Sequence, residues 1–312
     1  MKKWAKRIGY SALALFIVLN VMAIFHAWQF THFYPGAQVL DLKSLTLGAK
    51  IKMLFMGYKF PKSVVIGSPD VPYESVNLTM KDGLKISGWL IPVDSATQAV
   101  ILFHGHGSQK GSLLSQAQYL RQLGYSTLLI DFRAHGDSEG TTCTVGYDEV
   151  EEVAAAFHFM KNQGYRDVSL FGTSMGASAI IKAVRDEDLK ASKLILEMPF
   201  GSLPDAVKGR MRIMGLPTTP LSELLTFWGG TEQGYWAFSY SPCDYASELD
   251  MPVLLQWGDQ DPRVLAHETQ CIYQNLSGEK QLVVYEGAGH QSLYKYDASL
   301  WEQSVRMFLI EE

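Results

Sequence analysis

Cysteine is scarce in this 312-residue sequence: Cys143, Cys243 and Cys271 form an odd, widely spaced set with no Cys-x-x-Cys pair. That spacing argues against both a disulfide framework and a cysteine-based metal knuckle, and it gives none of the three a role. Long basic runs are missing outside the N-terminus and the balance is mildly acidic, net −5, so the charge does not point to nucleic acid as a partner. Small or neutral substrates fit it better. No internal repeat or low-complexity tract appears. What is present in quantity is apolar side chain: at 47% it suffices for the core of one large α/β domain or two small ones, which sets disorder aside.

The longest uncharged stretch stands at the start. Lys2, Lys3, Lys6 and Arg7 precede residues 8–28, which contain no Asp, Glu, Lys or Arg. About twenty such residues are the length a helix needs to cross a bilayer. Trp28, Phe30, Phe33 and Tyr34 follow as an aromatic exit of interfacial type, and no Lys or Arg recurs before Lys43. Residues 1–30 therefore read as a basic cytoplasmic tip and a single-pass anchor, with the bulk of the chain extracytoplasmic. A cleaved signal peptide ending near Val21-Met22-Ala23, hence secretion, is the competing reading. Residues 31–73 read as a juxtamembrane linker. Within it Leu40 to Phe60 mixes apolar residues with Lys43, Lys50, Lys52 and Lys59, which suits an interfacial helix, a plain linker or a helix packed on the domain. Pro61, Pro69 and Pro72 mark a loop before the domain at 74–312.

Val76–Met80 and Leu84–Ile91 flank Lys81-Asp82-Gly83, a hairpin signal. Short apolar runs follow at 99–103, 127–130, 168–171, 194–196, 253–256 and 282–285, each suited to a strand buried on both faces. Helical spacing separates most of them, at 113–123, 150–161, 177–184 and 268–276, with a last helix at 300–310. Such alternation predicts an α/β fold: a mostly parallel sheet with helices on both faces, led by an antiparallel hairpin. Residues 199–251 break the pattern with many aromatics and no convincing strand, and are expected to form a small helical cap. The cap aromatics either line an apolar substrate pocket or join the cap to the sheet.

Gly172-Thr173-Ser174-Met175-Gly176 falls where the 168–171 run ends and the 177–184 helix begins. A serine on so sharp a turn adopts strained backbone geometry, and glycines two residues either side remove the side chains that would clash. A serine hydroxyl needs a base to take its proton and an acid to orient that base. His290, in Glu286-Gly-Ala-Gly-His290, follows the 282–285 run, and Asp261, in Trp257-Gly-Asp-Gln-Asp261, follows the 253–256 run. All three residues trail the carboxyl end of a strand, where open α/β sheets bind ligands. His104 and His106 lack a third ligand at telling distance, so a metal site is not expected. His135 and Arg133 read as structural.

The order Ser, Asp, His, the elbow and the topology resemble the α/β-hydrolase family across roughly residues 74–311. His104-Gly105-His106-Gly107 is similar to that family's His-Gly segment, and Asp131-Phe-Arg133-Ala-His135-Gly136-Asp-Ser138 to its Arg-Gly-His-Gly-x-Ser loop, with Ala134 where glycine is usual. Gly258-Asp-Gln-Asp261 is similar to the family's acid turn, which favours Asp261 over Asp259; Glu197 is the alternative acid, because some members place it there. The resemblance implies an oxyanion hole formed by the backbone N–H groups of His106 and Met175. With the anchor, it points to single-pass serine hydrolases of the serine-peptidase-like and lipid-esterase branches.

The expected activity is cleavage of small-molecule carboxylic esters, including lipid-like acyl esters, through an acyl-serine intermediate and without cofactor or metal. A serine peptidase or amidase would use the same triad, since fold does not fix substrate. A catalytically silent, membrane-tethered binding protein is the alternative from another class.

Overall fold

The computed structural model describes residues 2–37 and 45–310. The apolar runs are strands: β1 (Glu74–Thr79), β2 (Lys85–Ile91), β3 (Gln98–Phe103), β4 (Ser126–Ile130), β5 (Asp167–Thr173), β6 (Leu194–Glu197), β7 (Val253–Gly258) and β8 (Lys280–Tyr285). They form one eight-stranded sheet in the order β1-β2-β4-β3-β5-β6-β7-β8. The β1–β2 and β2–β4 pairings are antiparallel and the rest parallel. This is the α/β-hydrolase arrangement, with the predicted hairpin leading into a parallel sheet.

Every residue of β4 and β7 is buried, as strands covered on both faces must be. The covering helices are α3 (Leu114–Gln122), α4 (Val150–Asn162), α5 (Met175–Asp186), α9 (Ala266–Asn275) and α11 (Ala298–Ile310). The run at 282–285 differs from expectation. β8 is the edge strand, with one neighbour, and Val284 stays exposed. An apolar run alone does not distinguish an edge from a centre.

Register places Thr173 beside Glu197 and Glu197 beside Gln256. The chain therefore leaves β5, β6 and β7 at one rim of the sheet. Beyond β6 the segment expected as a cap holds α6 (Leu203–Ile213), α7 (Leu221–Gln233) and the short α8 (Pro242–Tyr245), and no strand.

The reading of the cysteines needs correction. Cys243 on α8 and Cys271 on α9 form a disulfide, with Cα atoms 5.7 Å apart across a sequence separation of 28. Their spacing is uninformative because packing of α8 on α9 creates the proximity. Cys143 is free and buried.

The N-terminal region begins with α1 (Lys2–Thr31), one continuous helix long and apolar enough to span a bilayer. Its first two-thirds project from the domain, whereas Ala23, Ala27 and Thr31 are buried against it. Trp228 of α7 donates its indole N–H to Asn20 at 3.0 Å, and Gln233 donates to Thr31 at 3.2 Å. Residues 40–44 of the mixed apolar and basic segment lie outside the described residues. The remainder contains α2 (Leu47–Met56), capped by Thr46 and joined to α1 where His26 Nε2 donates to the Leu54 carbonyl at 2.8 Å. Leu47, Ile51, Leu54 and Phe55 on α2 are exposed.

Candidate active site

Ser174 closes β5 and precedes α5 with φ +54° and ψ −116°, a conformation that L-residues adopt only when their surroundings enforce it. The enforcement is visible at its neighbours. A Cβ on Gly172 would lie 2.6 Å from Ala177 N, and one on Gly176 would lie 2.5 Å from the Phe103 carbonyl oxygen, so only glycine fits at either place. Strand, turn and helix thus lift the Ser174 hydroxyl above the sheet rim.

The loops after β7 and β8 bring two partners to it. His290 Nε2 lies 3.0 Å from Ser174 Oγ, and His290 Nδ1 lies 2.6 Å from Asp261 Oδ2. A carboxylate only accepts, so Nδ1 carries the ring proton and Nε2 is left to accept from the serine hydroxyl. The other Asp261 oxygen accepts from the backbone N–H groups of Arg263 at 2.7 Å and Val264 at 3.0 Å, which fixes the carboxylate. Asp259 instead accepts from Gly287 N at 2.7 Å and holds the loop after β8. Glu197 lies beneath the elbow, taking bonds from Trp301 Nε1 at 2.6 Å and Thr173 Oγ1 at 3.2 Å. Burial pushes its carboxyl up to about 7.

The loop after β3 runs beside the elbow: a Cβ on Gly105 would lie 3.4 Å from Ser174 Cβ. Among the described residues the backbone N–H of His106 has no acceptor. Met175 opens α5, where a backbone N–H has no intrahelical partner. Three neutral imidazoles shape this loop. His104 Nδ1 donates to the Gly105 carbonyl while Nε2 accepts from Phe132 N, and burial holds its pKa down to about 4. His135 Nδ1 donates to the Arg133 carbonyl while Nε2 accepts from Gly107 N, and burial holds it down to about 3. His106 Nε2 donates to the Phe30 carbonyl at 3.3 Å and its ring stacks on Phe30, 4.6 Å between centroids. Arg133 pairs with Glu151 and Glu152, a structural tie. Ala134 has φ +65°, which explains why glycine is usual there.

The cleft around Ser174 and His290 has a volume of about 230 Å³, and the residues lining it include Ser108, Gln116, Arg263, Gln291 and Lys295. A second cleft of about 300 Å³, between residues 68–71 and α3, holds no histidine or cysteine. None of the cap aromatics lines the catalytic cleft. Trp228 bonds to α1, while Phe227 and Trp236 face outward. Sequence reasoning missed Arg210 and Lys295 altogether and read Phe30 only as part of an aromatic membrane exit. Arg263, two residues beyond Asp261, was the only one with a local signal.

Known proteins share this fold. Residues 94–228 match the serine aminopeptidase, S33 family, a span that includes Ser174 and ends before β7 and β8. The esterase Pf2001 of Pyrococcus furiosus superposes with a TM-score of 0.67 at 24% identity, covering 80% of this chain and 95% of that one. The likeness shows the α/β-hydrolase fold. In sequence it is 26% identical to the Bacillus subtilis protein YqkD over 73% of this chain and 76% of that one. It is 23% identical to the lysophosphatidylserine lipase ABHD12 of Xenopus tropicalis over 71% of this chain and 60% of that one.

Proposed function

We propose that the protein is a serine hydrolase that cleaves carboxylic esters at a membrane surface, with Ser174 as nucleophile, His290 as general base and Asp261 as the residue that orients it. The unbroken chain Ser174–His290–Asp261, with contacts of 3.0 Å and 2.6 Å, carries this reading. Ser174 Oγ attacks the ester carbonyl carbon as its proton passes to His290 Nε2. The developing oxyanion falls between the N–H groups of Met175 and His106. Collapse expels the alcohol, which takes the proton from His290 and leaves an acyl-serine. Water, deprotonated by His290, then releases the acid and restores Ser174.

The α1 contacts support a retained anchor, because Asn20, Ala23 and Thr31 are built into the packing of the domain. At 1.5 Å per residue, the α1–α7 contact from Asn20 to Thr31 runs about 16 Å along the helix. α7 and the exposed apolar face of α2 therefore meet the bilayer interface beside the cleft. Lys2, Lys3, Lys6 and Arg7 favour an N-terminus in the cytoplasm, and a disulfide on the other side agrees with an oxidising compartment. Ester is favoured over aminopeptide because the cationic side chains Arg263 and Lys295 in the cleft repel a protonated α-amino group. The names of the Pyrococcus esterase and the Xenopus lipase agree with an ester substrate.

Ser174→Ala is expected to lower turnover of a p-nitrophenyl ester on the order of a million-fold. Fluorophosphonate labelling lost in that variant supports the assignment. An unlabelled wild type would leave the silent binding protein as the better account.

A further inference from the structure

The cap helix α6 carries three cations and treats one differently. Lys208 lies 3.5 Å from Asp205, and Arg212 donates to the carbonyls of Pro262 and Arg263 and faces Glu268. Arg210 has neither a hydrogen bond nor an ion pair among the described residues. Its guanidinium lies 5.6 Å from the centre of the Phe30 ring and 5.4 Å from that of Phe60. Phe30 is the ring stacked on His106, which lines the cleft, so one ring separates Arg210 from the cleft wall.

The Arg263 guanidinium likewise has no hydrogen bond or ion pair among the described residues. It lines the cleft with Ser174 and His290, and its nearest carboxylate in sequence, Asp261, is already occupied by His290 and two backbone N–H groups. The two arginines are neighbours by construction. Gly209 seats α6 on the acid loop so closely that a Cβ there would lie 2.3 Å from the Arg263 carbonyl oxygen. Burial pushes Arg210 down to about 10, and the Arg263 charge adds to it. Lys295, also unpaired among the described residues, adds a third cation at the rim. The carboxylate of the cleft that could answer them, Glu197, is fully buried and bonded to Trp301 and Thr173.

We infer that Arg210 and Arg263 form an anion-binding subsite, which holds a phosphate group a few bonds from the scissile ester at the edge of the cleft. Guanidinium forks suit phosphate oxygens in geometry and charge, and the Phe30 and Phe60 rings hold one fork in place without neutralising it. The substrate class is then an acyl glycerophosphate type of lipid: the acyl carbonyl reaches Ser174 while the phosphate stays at the interface. This inference rests on the ester-hydrolase reading above and adds the head group to it.

The test uses the full chain in neutral detergent micelles, with 1-octanoylglycerol and 1-octanoylglycerol 3-phosphate as a pair differing only in the phosphate. The readout is the ratio of their kcat/KM values, which a general loss of fold or of the triad leaves unchanged. The wild type is expected to favour the phosphorylated ester at least about tenfold, and Arg210→Gln and Arg263→Gln each to move the ratio towards one. A wild-type ratio near or below one, or a ratio unmoved in both variants, overturns the subsite. Binding of octyl phosphate, which has no ester, separates the two claims. If it binds through the arginines but neither ester is cleaved, the hydrolase reading falls and the subsite stands. Inorganic phosphate displacing octyl phosphate at comparable concentration would mean a free anion is the ligand, and would overturn the lipid assignment.

Discussion

The carboxyl ends of β6 and β7 lie side by side and each presents a buried acid, yet the two are partnered differently. Asp261, after β7, accepts from His290 and from the N–H groups of Arg263 and Val264. Glu197, at the end of β6, has two neutral donors and no cation, and its carboxyl is pushed up to about 7. Trp301 and Thr173 both donate to Glu197, so it serves as a strut beneath the elbow. Burial at the right rim does not make a catalytic acid; the donors that converge on it do.

The largest effect expected from this contrast is on turnover. Asp261→Asn should lower kcat by about 10⁴-fold by leaving His290 in the wrong tautomer, whereas Glu197→Gln should lower it less than tenfold. Steady-state hydrolysis of a p-nitrophenyl ester decides it, and equal losses would erase the distinction. Next comes the support behind the β7 rim. The Cys243–Cys271 bridge tethers α9, the helix that follows the Asp261 loop, and closes a loop of 28 residues. Its replacement by alanines should remove about 3–4 kcal/mol of stability by the loop-entropy estimate, read from denaturant melts.

The β6 rim responds to pH instead. The Glu197 carboxyl ionises near 4.5 when unfolded and near 7 when folded, so the folded state holds the extra proton. Its contribution is full below pH 4.5 and declines as pH rises to about 7, a loss on the order of 3 kcal/mol. Glu197→Gln imitates the protonated form. Thermal melts should show the variant gaining on wild type across that window, and parallel curves would mean the carboxyl ionises freely. Smallest is Ala134→Gly, which relieves φ +65° and should add about 0.5–1 kcal/mol.

The strands were legible because apolar runs such as Val168–Phe171 and Val253–Gln256 have one use in an alternating chain: a sheet covered on both sides. Ser174, Asp261 and His290 were legible as candidates because each trails such a run. Other features depend on what neighbours across space, for which local pattern carries no sign. Ala23 and Ala27 look alike whether they face lipid or α7, so the last turns of the span gave no hint that they belong to the domain. Cys243 meets Cys271 only because α8 lies on α9. The outward direction of Phe227 and Trp236 follows from where α7 packs, and composition is silent on that.

The stack of Phe30 on His106 has a practical consequence. A version of the protein trimmed to begin after Thr31, the obvious route to a detergent-free sample, loses the ring and the carbonyl on which the loop after β3 rests. Rates measured on such a fragment would report a site that has lost part of its support, and a weak result from it would say little about the full chain.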